Sequence, residues 1–336
     1  MNRVREVKLW LPLCVCVFML CIPASVWAKA SSKQTKVAQA MVHQPPMRGG
    51  KKDPKKNAKE DTISGVHGLL NLTLSYNLLG LRAIGAIGWR QRLYKSNNKI
   101  LRENFFGAHA IARLTPAWLE GGAVLALQPI TILKLRLAYR YRIQIPLFFS
   151  GGTFDTIEQA KSAFDPVKAH TEGEQVLRDR IQKVQDDNGG GRVLPASHIL
   201  SADLTFRFKL KGILLLVNAR YSKWFTGHGQ TDKYKAFYEG GHDMIFSNEE
   251  DFFMIEGVTG YESGAFRYMV MVSYRNALNA GSEYFRIGPA FQWSIAPAWG
   301  WFKKPSLLVL ANWYLAHNWR GRDFVPLIGA RLGGEF

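Results

Sequence analysis

The segment Thr131–Ile145, TILKLRLAYRYRIQI, leaves few folds open. Leu133, Leu135, Leu137, Tyr139, Tyr141 and Ile143 share one parity. Lys134, Arg136, Arg140 and Arg142 share the other, with only Ala138 between them. A helix would scatter these four cations around its circumference. A β-strand sends successive side chains to opposite faces, so it sorts them. The strand then has one apolar face ending in aromatics and one densely cationic face. A soluble sheet would turn the charges to water. A membrane barrel would turn the apolar face to lipid and the charges into its lumen.

The N-terminus bears on that choice. Arg3, Arg5 and Lys8 form a basic head, and the apolar run Leu9–Pro23 follows. Val26-Trp27-Ala28 then offers small residues at the spacing of a signal-peptidase site. Residues 1–28 therefore read as a cleaved secretory signal. The alternative is an uncleaved anchor, but the run is shorter than the roughly 20 residues a spanning helix needs. Cys14, Cys16 and Cys21 all lie in this segment, so the exported chain has no disulfide, thiolate metal site or cysteine nucleophile. Phe18-Met19-Leu20 lacks the small residues that precede a lipidated cysteine.

The formal charge is +18, most of it outside the signal. Such a balance points to nucleic acid or an anionic membrane. Export and the lack of any nucleic-acid motif argue against nucleic acid. No later apolar run reaches spanning-helix length, and mean hydropathy is −0.11. Alternating strands can cross a membrane with such a value, and apolar helices cannot.

Residues 29–62 are rich in Lys, Pro and Gly, as in HQPPMRGG and KKDPKKNAKED, and nearly lack large apolar side chains. They read as a disordered basic periplasmic leader. It is either a solvated spacer or a tether to peptidoglycan or another anionic surface. From residue 63 to 336 the chain reads as an all-β antiparallel barrel with twelve strand candidates. They are placed at about 66–77, 81–92, 105–115, 119–128, 130–145, 198–211, 213–224, 251–260, 265–275, 283–295, 306–318 and 325–336. The fourth and eighth alternate least clearly, so ten or fourteen strands are the alternatives. Long connections follow the fifth strand (146–197) and the seventh (225–250), moderate ones follow the ninth and eleventh, and tight ones follow the fourth, sixth and eighth.

This parity of long and tight connections resembles bacterial outer-membrane β-barrels, whose termini lie in the periplasm and whose odd-numbered connections face outward. The final strand, Leu327-Ile328-Gly329-Ala330-Arg331-Leu332-Gly333-Gly334-Glu335-Phe336, adds to the resemblance. Such proteins commonly end in a phenylalanine read by the assembly machinery, and Phe336 holds that position. The aromatic usual two residues earlier is Gly334 here, so the match is partial. The resemblance is to porin-like barrels at the level of architecture and implies an outer-membrane location in a Gram-negative cell. It also implies contact with outer-membrane lipid and lipopolysaccharide, and engagement of the assembly machinery through the C-terminal strand. Tyr139, Tyr141, Trp89, Trp224, Tyr274, Trp293, Trp299, Trp301, Trp313 and Trp319 fall toward strand ends, where interfacial girdles form.

Within the long connection at 146–197, EQVLRDRIQKVQDD has helical spacing at Val176, Ile181 and Val184. It reads as a short amphipathic helix that either constricts the lumen or projects outward.

With the apolar parity on lipid, the lumen receives Arg82, Arg90, Arg92, Arg113, Lys134, Arg136, Arg140, Arg142, Arg207, Lys209, Lys211, Arg220, Arg267, Arg275, Arg286 and Arg331. Acids of that parity are Glu120, Asp203, Glu256 and Glu335. A cationic lumen favours anions. The first expectation is therefore a narrow pore for passive diffusion of small anionic solutes, unless loop carboxylates neutralise the wall. A lipid-modifying hydrolase is the second. It needs a Ser or Thr beside a His that an acid orients. The candidates are His228, His242 with Asp243, and Ser247, with no supporting motif. His109 could face the lumen beside Arg113, and His317 lies on another strand. A non-conducting structural or binding barrel is the third. No residues cluster at metal-ligand spacing, so neither metal nor cofactor is expected.

Overall fold

The computed structural model describes residues 63–76, 80–145, 153–163, 179, 183, 196–227, 235–295, 298–299, 302–317 and 326–335. The signal and leader assigned to 1–62, the terminal Phe336, His228, Trp301 and Trp319 lie outside the described residues. So does the helix read at 174–187, apart from Asp179 and Lys183.

The described strands are β1 (Gly65–Tyr76), β2 (Gly80–Gln91), β3 (Phe105–Leu114), β4 (Trp118–Ile130), β5 (Leu133–Gln144), β6 (Thr153–Phe154), β7 (Ser197–Leu210) and β8 (Ile213–Thr226). They continue with β9 (Ala236–Glu239), β10 (Met244–Ser247), β11 (Glu249–Ser263), β12 (Phe266–Ala277), β13 (Ser282–Ser294), β14 (Ala298–Trp299), β15 (Phe302–His317) and β16 (Leu327–Glu335). One helix, α1 (Ile157–Ala163), follows β6.

Twelve of these strands close into an antiparallel barrel. Each long strand pairs with the next in the chain, in the order β1, β2, β3, β4, β5, β7, β8, β11, β12, β13, β15, β16. The ring shuts where β1 pairs with β16, from Leu69 opposite Glu335 to Tyr76 opposite Ile328. Closure pairs every strand on both sides and removes the sheet edge that lipid cannot hydrate. The strand positions read from alternation agree with those observed. The fifth strand begins at Leu133 rather than residue 130. Pro129 ends β4 beside a register shift, and the turn falls at Thr131-Ile132. The connection after β12 is a tight turn at 278–281, not a moderate loop.

Alternation decides the two faces. On β5, Leu135, Leu137, Tyr139, Tyr141 and Ile143 are exposed on the outside, while Arg140 and Arg142 are buried inside. The same outward apolar row runs through Leu70, Leu72 and Leu74 on β1, Leu204, Phe206 and Phe208 on β7, and Tyr268 and Val270 on β12. Ile87, Trp89, Phe291, Trp293 and Trp313 also point outward. Trp224 does not join this girdle. It faces inward and is 1% exposed, because the parity of β8 places it with Asn218, Arg220 and Ser222.

Some strand contacts need glycine. A Cβ on Gly288 of β13 would stand 1.8 Å from the Ala311 carbonyl of β15, so only glycine lets the two backbones meet there. We expect Leu137→Arg, which places a cation mid-strand on the lipid face, to cost about 2–4 kcal/mol. Equilibrium urea unfolding in lipid vesicles measures that loss.

Candidate functional site

We call the two ends of the barrel the loop end, which carries the long connections after β5 and β8, and the turn end, which carries the tight turns at 131–132, 211–212 and 264–265. The lumen differs between them.

At the loop end, the chain after β8 turns into the lumen as a hairpin. Strands β9 and β10 pair from Glu239 opposite Met244 to Ala236 opposite Ser247. Strand β6 adds to β9, making a three-stranded sheet, and α1 packs on it through Ala160 and Ile157. Phe154, Phe237, Met244, Ile245 and Phe246 of this sheet are buried against Ile199, Trp224, Phe252, Ala277 and Tyr284 of the wall. Burying a Phe or Ile side chain is worth about 1.5–3 kcal/mol, so this cluster is a strong reason for the loop to fold inward.

The tip of the hairpin, Gly240-Gly241-His242-Asp243, is held from three sides. Glu239 Oε1 accepts from the Arg142 guanidinium at 2.6 Å, on β5. Asp243 Oδ2 accepts from the Tyr314 hydroxyl at 3.1 Å and lies 3.3 Å from His317 Nε2, both on β15. Tyr238 of the hairpin donates to the other oxygen of Asp243 at 2.7 Å. Arg275 of β12 donates to His242 Nδ1 at 3.0 Å. Strands β5 and β15 stand opposite each other in the ring, with five barrel strands between them either way round. The hairpin is therefore a crossbar anchored on opposite walls. Gly241 permits the tight tip: its N–H donates to Glu239 at 2.9 Å, and a Cβ there would meet that same oxygen at 2.8 Å.

Arg142 is the most heavily partnered cation of the wall. Its Nε and one terminal nitrogen donate to Glu120 Oε2 at 3.1 and 2.8 Å, and its other terminal nitrogen reaches Glu239. Its guanidinium also lies over the rings of Trp118 and Trp224, at 4.0 and 4.8 Å. Glu120 further pairs with Arg113 at 2.9 Å and Arg140 at 3.4 Å. Burial removes water from these charges, and only such matched partners offset that cost. At the loop end Glu120 and Glu239, the latter reaching in from the connection after β8, partner Arg113, Arg140 and Arg142, two carboxylates for three arginines. Lower down, Asp203 pairs with Arg220 and with Arg136, and Glu256 with Arg275.

Toward the turn end the wall opens. Along β5, Arg142 and Arg140 are 4% exposed, while Arg136 is 34% exposed. Arg207 is paired with Glu103, and Lys209 and Arg267 with Glu262, all at the rim and half in solvent. Lys134 lies against the Phe105 ring, and Arg90 donates to His109 at 3.2 Å. A cavity of about 620 Å³ opens at this end, lined among others by Asn71, Arg267, Gln292, Lys304, Arg331 and Glu335. Lys211 sits in the β7–β8 turn rather than on the wall. The inner face is not uniformly polar: Met269, Ala290 and Leu308 cluster with Leu214, Val258, Met271 and Leu310 inside the barrel. These apolar side chains lie on the polar parity of their strands, Met269 and Met271 with Arg267, Ser273 and Arg275 on β12.

Among the described residues, His242, Asp243 and Ser247 do not assemble a hydrolase constellation. The Ser247 hydroxyl donates to the Glu249 carbonyl and meets Glu250 Oε2 at 3.0 Å. His242 is stacked between Phe246 and Phe252 and occupied by Arg275. Burial, with the charges of Arg275 and Arg142, holds His242 well below the usual histidine range, which leaves Nδ1 unprotonated as the acceptor. The residues that anchor the crossbar carried a signal of their own. Ala236-Phe237-Tyr238-Glu239 and Met244-Ile245-Phe246-Ser247 are short apolar runs joined by a Gly-Gly turn, the pattern of a hairpin.

In architecture the chain is similar to bacterial outer-membrane β-barrels. No family model and no curated protein matches it. Among solved structures, the KdgM porin shares 8% identity at a TM-score of 0.37, with 80% of this chain and 98% of that chain covered. The NanC porin shares 8% identity at a TM-score of 0.38, over 80% and 98%. The beta domain of the Bordetella autotransporter BrkA shares 10% identity at 0.38, over 82% and 99%.

Removing the Glu239 charge tests the crossbar. Glu239→Gln leaves Arg142 with Glu120 alone, and we expect a loss of about 1–3 kcal/mol. Faster amide exchange confined to residues 236–247, with barrel strands unchanged, is the expected readout by hydrogen-exchange mass spectrometry.

Proposed function

We propose that this chain is a porin-like barrel of the bacterial outer membrane, and that its lumen favours small anionic solutes. One observation carries the reading: inward-facing cations outnumber inward-facing carboxylates, and those toward the turn end, though paired with carboxylates, keep a third to a half of their side-chain surface in solvent. An excess of positive charge in a low-dielectric space sets a strong local potential. Lys134, Arg136 and the rim cations draw anions into the vestibule at the turn end. The crossbar then sets how much of the path beyond it is open. In this reading the turn end faces the periplasm and the loop end faces outward, as the long connections of such barrels do.

The crossbar favours a second reading, a barrel that does not conduct while the hairpin is seated. Its dry aromatic core and opposed anchors fill the lumen at the loop end.

Planar-bilayer recording separates the two. Under a KCl gradient we expect discrete steps with a chloride-favouring reversal potential. Lys134→Gln with Arg136→Gln moves that potential toward cations. Replacing residues 236–247 by a short Gly-Ser linker raises unit conductance several-fold. Conductance only in the shortened variant supports the closed-barrel reading. Silence in both, from protein that still migrates as a heat-modifiable barrel, overturns the pore.

A further inference from the structure

The seam where the barrel closes holds two arginines that the ion-pair networks leave out. Thr73 on β1 stands opposite Arg82 on β2 and opposite Arg331 on β16, so the three lie side by side in one row of the ladder. All three belong to the inward parity of their strands. Neighbouring strands are about 4.8 Å apart, so the two arginines start about 10 Å apart and their long side chains can converge over Thr73.

Three features mark this row. Arg82 and Arg331 are both exposed in the lumen. Among the described residues, neither has a carboxylate at ion-pair distance. The inward-facing Glu256 of β11 is already held by Arg275 at 3.2 Å. The Thr73 Oγ1 is buried and has no hydrogen-bond partner among the described residues. Elsewhere on the wall, Glu120, Asp203, Glu262 and Glu103 take up the neighbouring guanidiniums. Arg331 also lines the 620 Å³ cavity beside Asn71, so a solute entering from the turn end meets that arginine.

Two guanidinium forks flanking a hydroxyl donor match the oxygens of a planar or tetrahedral oxyanion, each fork offering paired N–H donors. We propose that Arg82, Thr73 and Arg331 form an oxyanion-binding site in the lumen, which takes the carboxylate, sulfate or phosphate group of a small solute. The proposal deepens the reading of the lumen as an anion path, and rests on it for the route by which the solute arrives. Binding itself is measurable without conduction.

Calorimetric titration of the detergent-solubilised full chain with sodium sulfate, with sodium chloride as the reference, tests it. Sulfate is expected to bind at one site. Arg82→Gln or Arg331→Gln weakens it at least tenfold, Thr73→Val weakens it several-fold, and Arg331→Lys restores only part of the loss because an ammonium lacks the fork. Lys223→Gln, on the outer face of β8 beside Asp251, leaves it unchanged. Equal affinity in the seam variants and the parent, with barrel migration intact, overturns the site. So does a uniform loss that includes Lys223→Gln, which marks a general field rather than a site. Sulfate binding from a protein that never conducts sinks the pore and leaves the site standing. Conduction without seam-dependent binding does the reverse.

Discussion

Everything in this molecule depends on the hydrogen bonds that join the first strand to the last. A sheet in hydrocarbon has no water for its edge groups, so each unpaired N–H or C=O costs several kcal/mol. Pairing Leu69 through Tyr76 with Ile328 through Glu335 removes both edges at once. Once the ring is shut, each strand has an inside and an outside, and the period of two assigns every residue to one of them. The seam is also the glycine-rich part of the ring. Gly333 lies so close to Asn71 that a Cβ there would stand 1.9 Å from the Asn71 oxygen.

Closure creates an electrostatic problem. Most polar residues of the strands are sent inward, and in this chain most of those that carry charge are cations. The molecule handles them differently along the axis. At the loop end the arginines lose water to the folded loops and are matched by Glu120 and Glu239. At the turn end they keep solvent and weaker rim partners. Buried pairs of the first kind fix geometry more than they add stability, because desolvation consumes most of the attraction. Exposed charges of the second kind stay available to a mobile anion.

Much of this was legible in the sequence, for a definite reason. Each barrel strand alternates, and alternation is a local property, so β5 could be read from Leu133 to Gln144 without reference to any other strand. The inward placement of Arg113, Arg136, Arg140, Arg142 and Arg220 followed from parity alone. Which of them find acids did not, because Glu239 and Glu103 reach the wall from connections, and parity says nothing of a loop. Trp224 was misplaced for a related reason: a tryptophan near a strand end suits either an interface or a core, and only the register of β8 decides. The inward Met269, Leu308 and Leu310 look like lipid-facing residues one at a time, and only the polar residues that share their parity, Arg267, Ser273 and Arg275 on β12 and Asn312 on β15, reveal their face.

The crossbar also has a mechanical meaning. A twelve-stranded ring with a hollow centre is a hoop, and a hoop under lateral load flattens into an ellipse far more easily than its hydrogen bonds break. A strut bolted to opposite points resists that flattening along its own line. Glu239 on Arg142 and Asp243 on Tyr314 and His317 are such bolts, set on walls that face each other. They brace the loop end into a fixed cross-section, and the turn end has no comparable brace among the described residues.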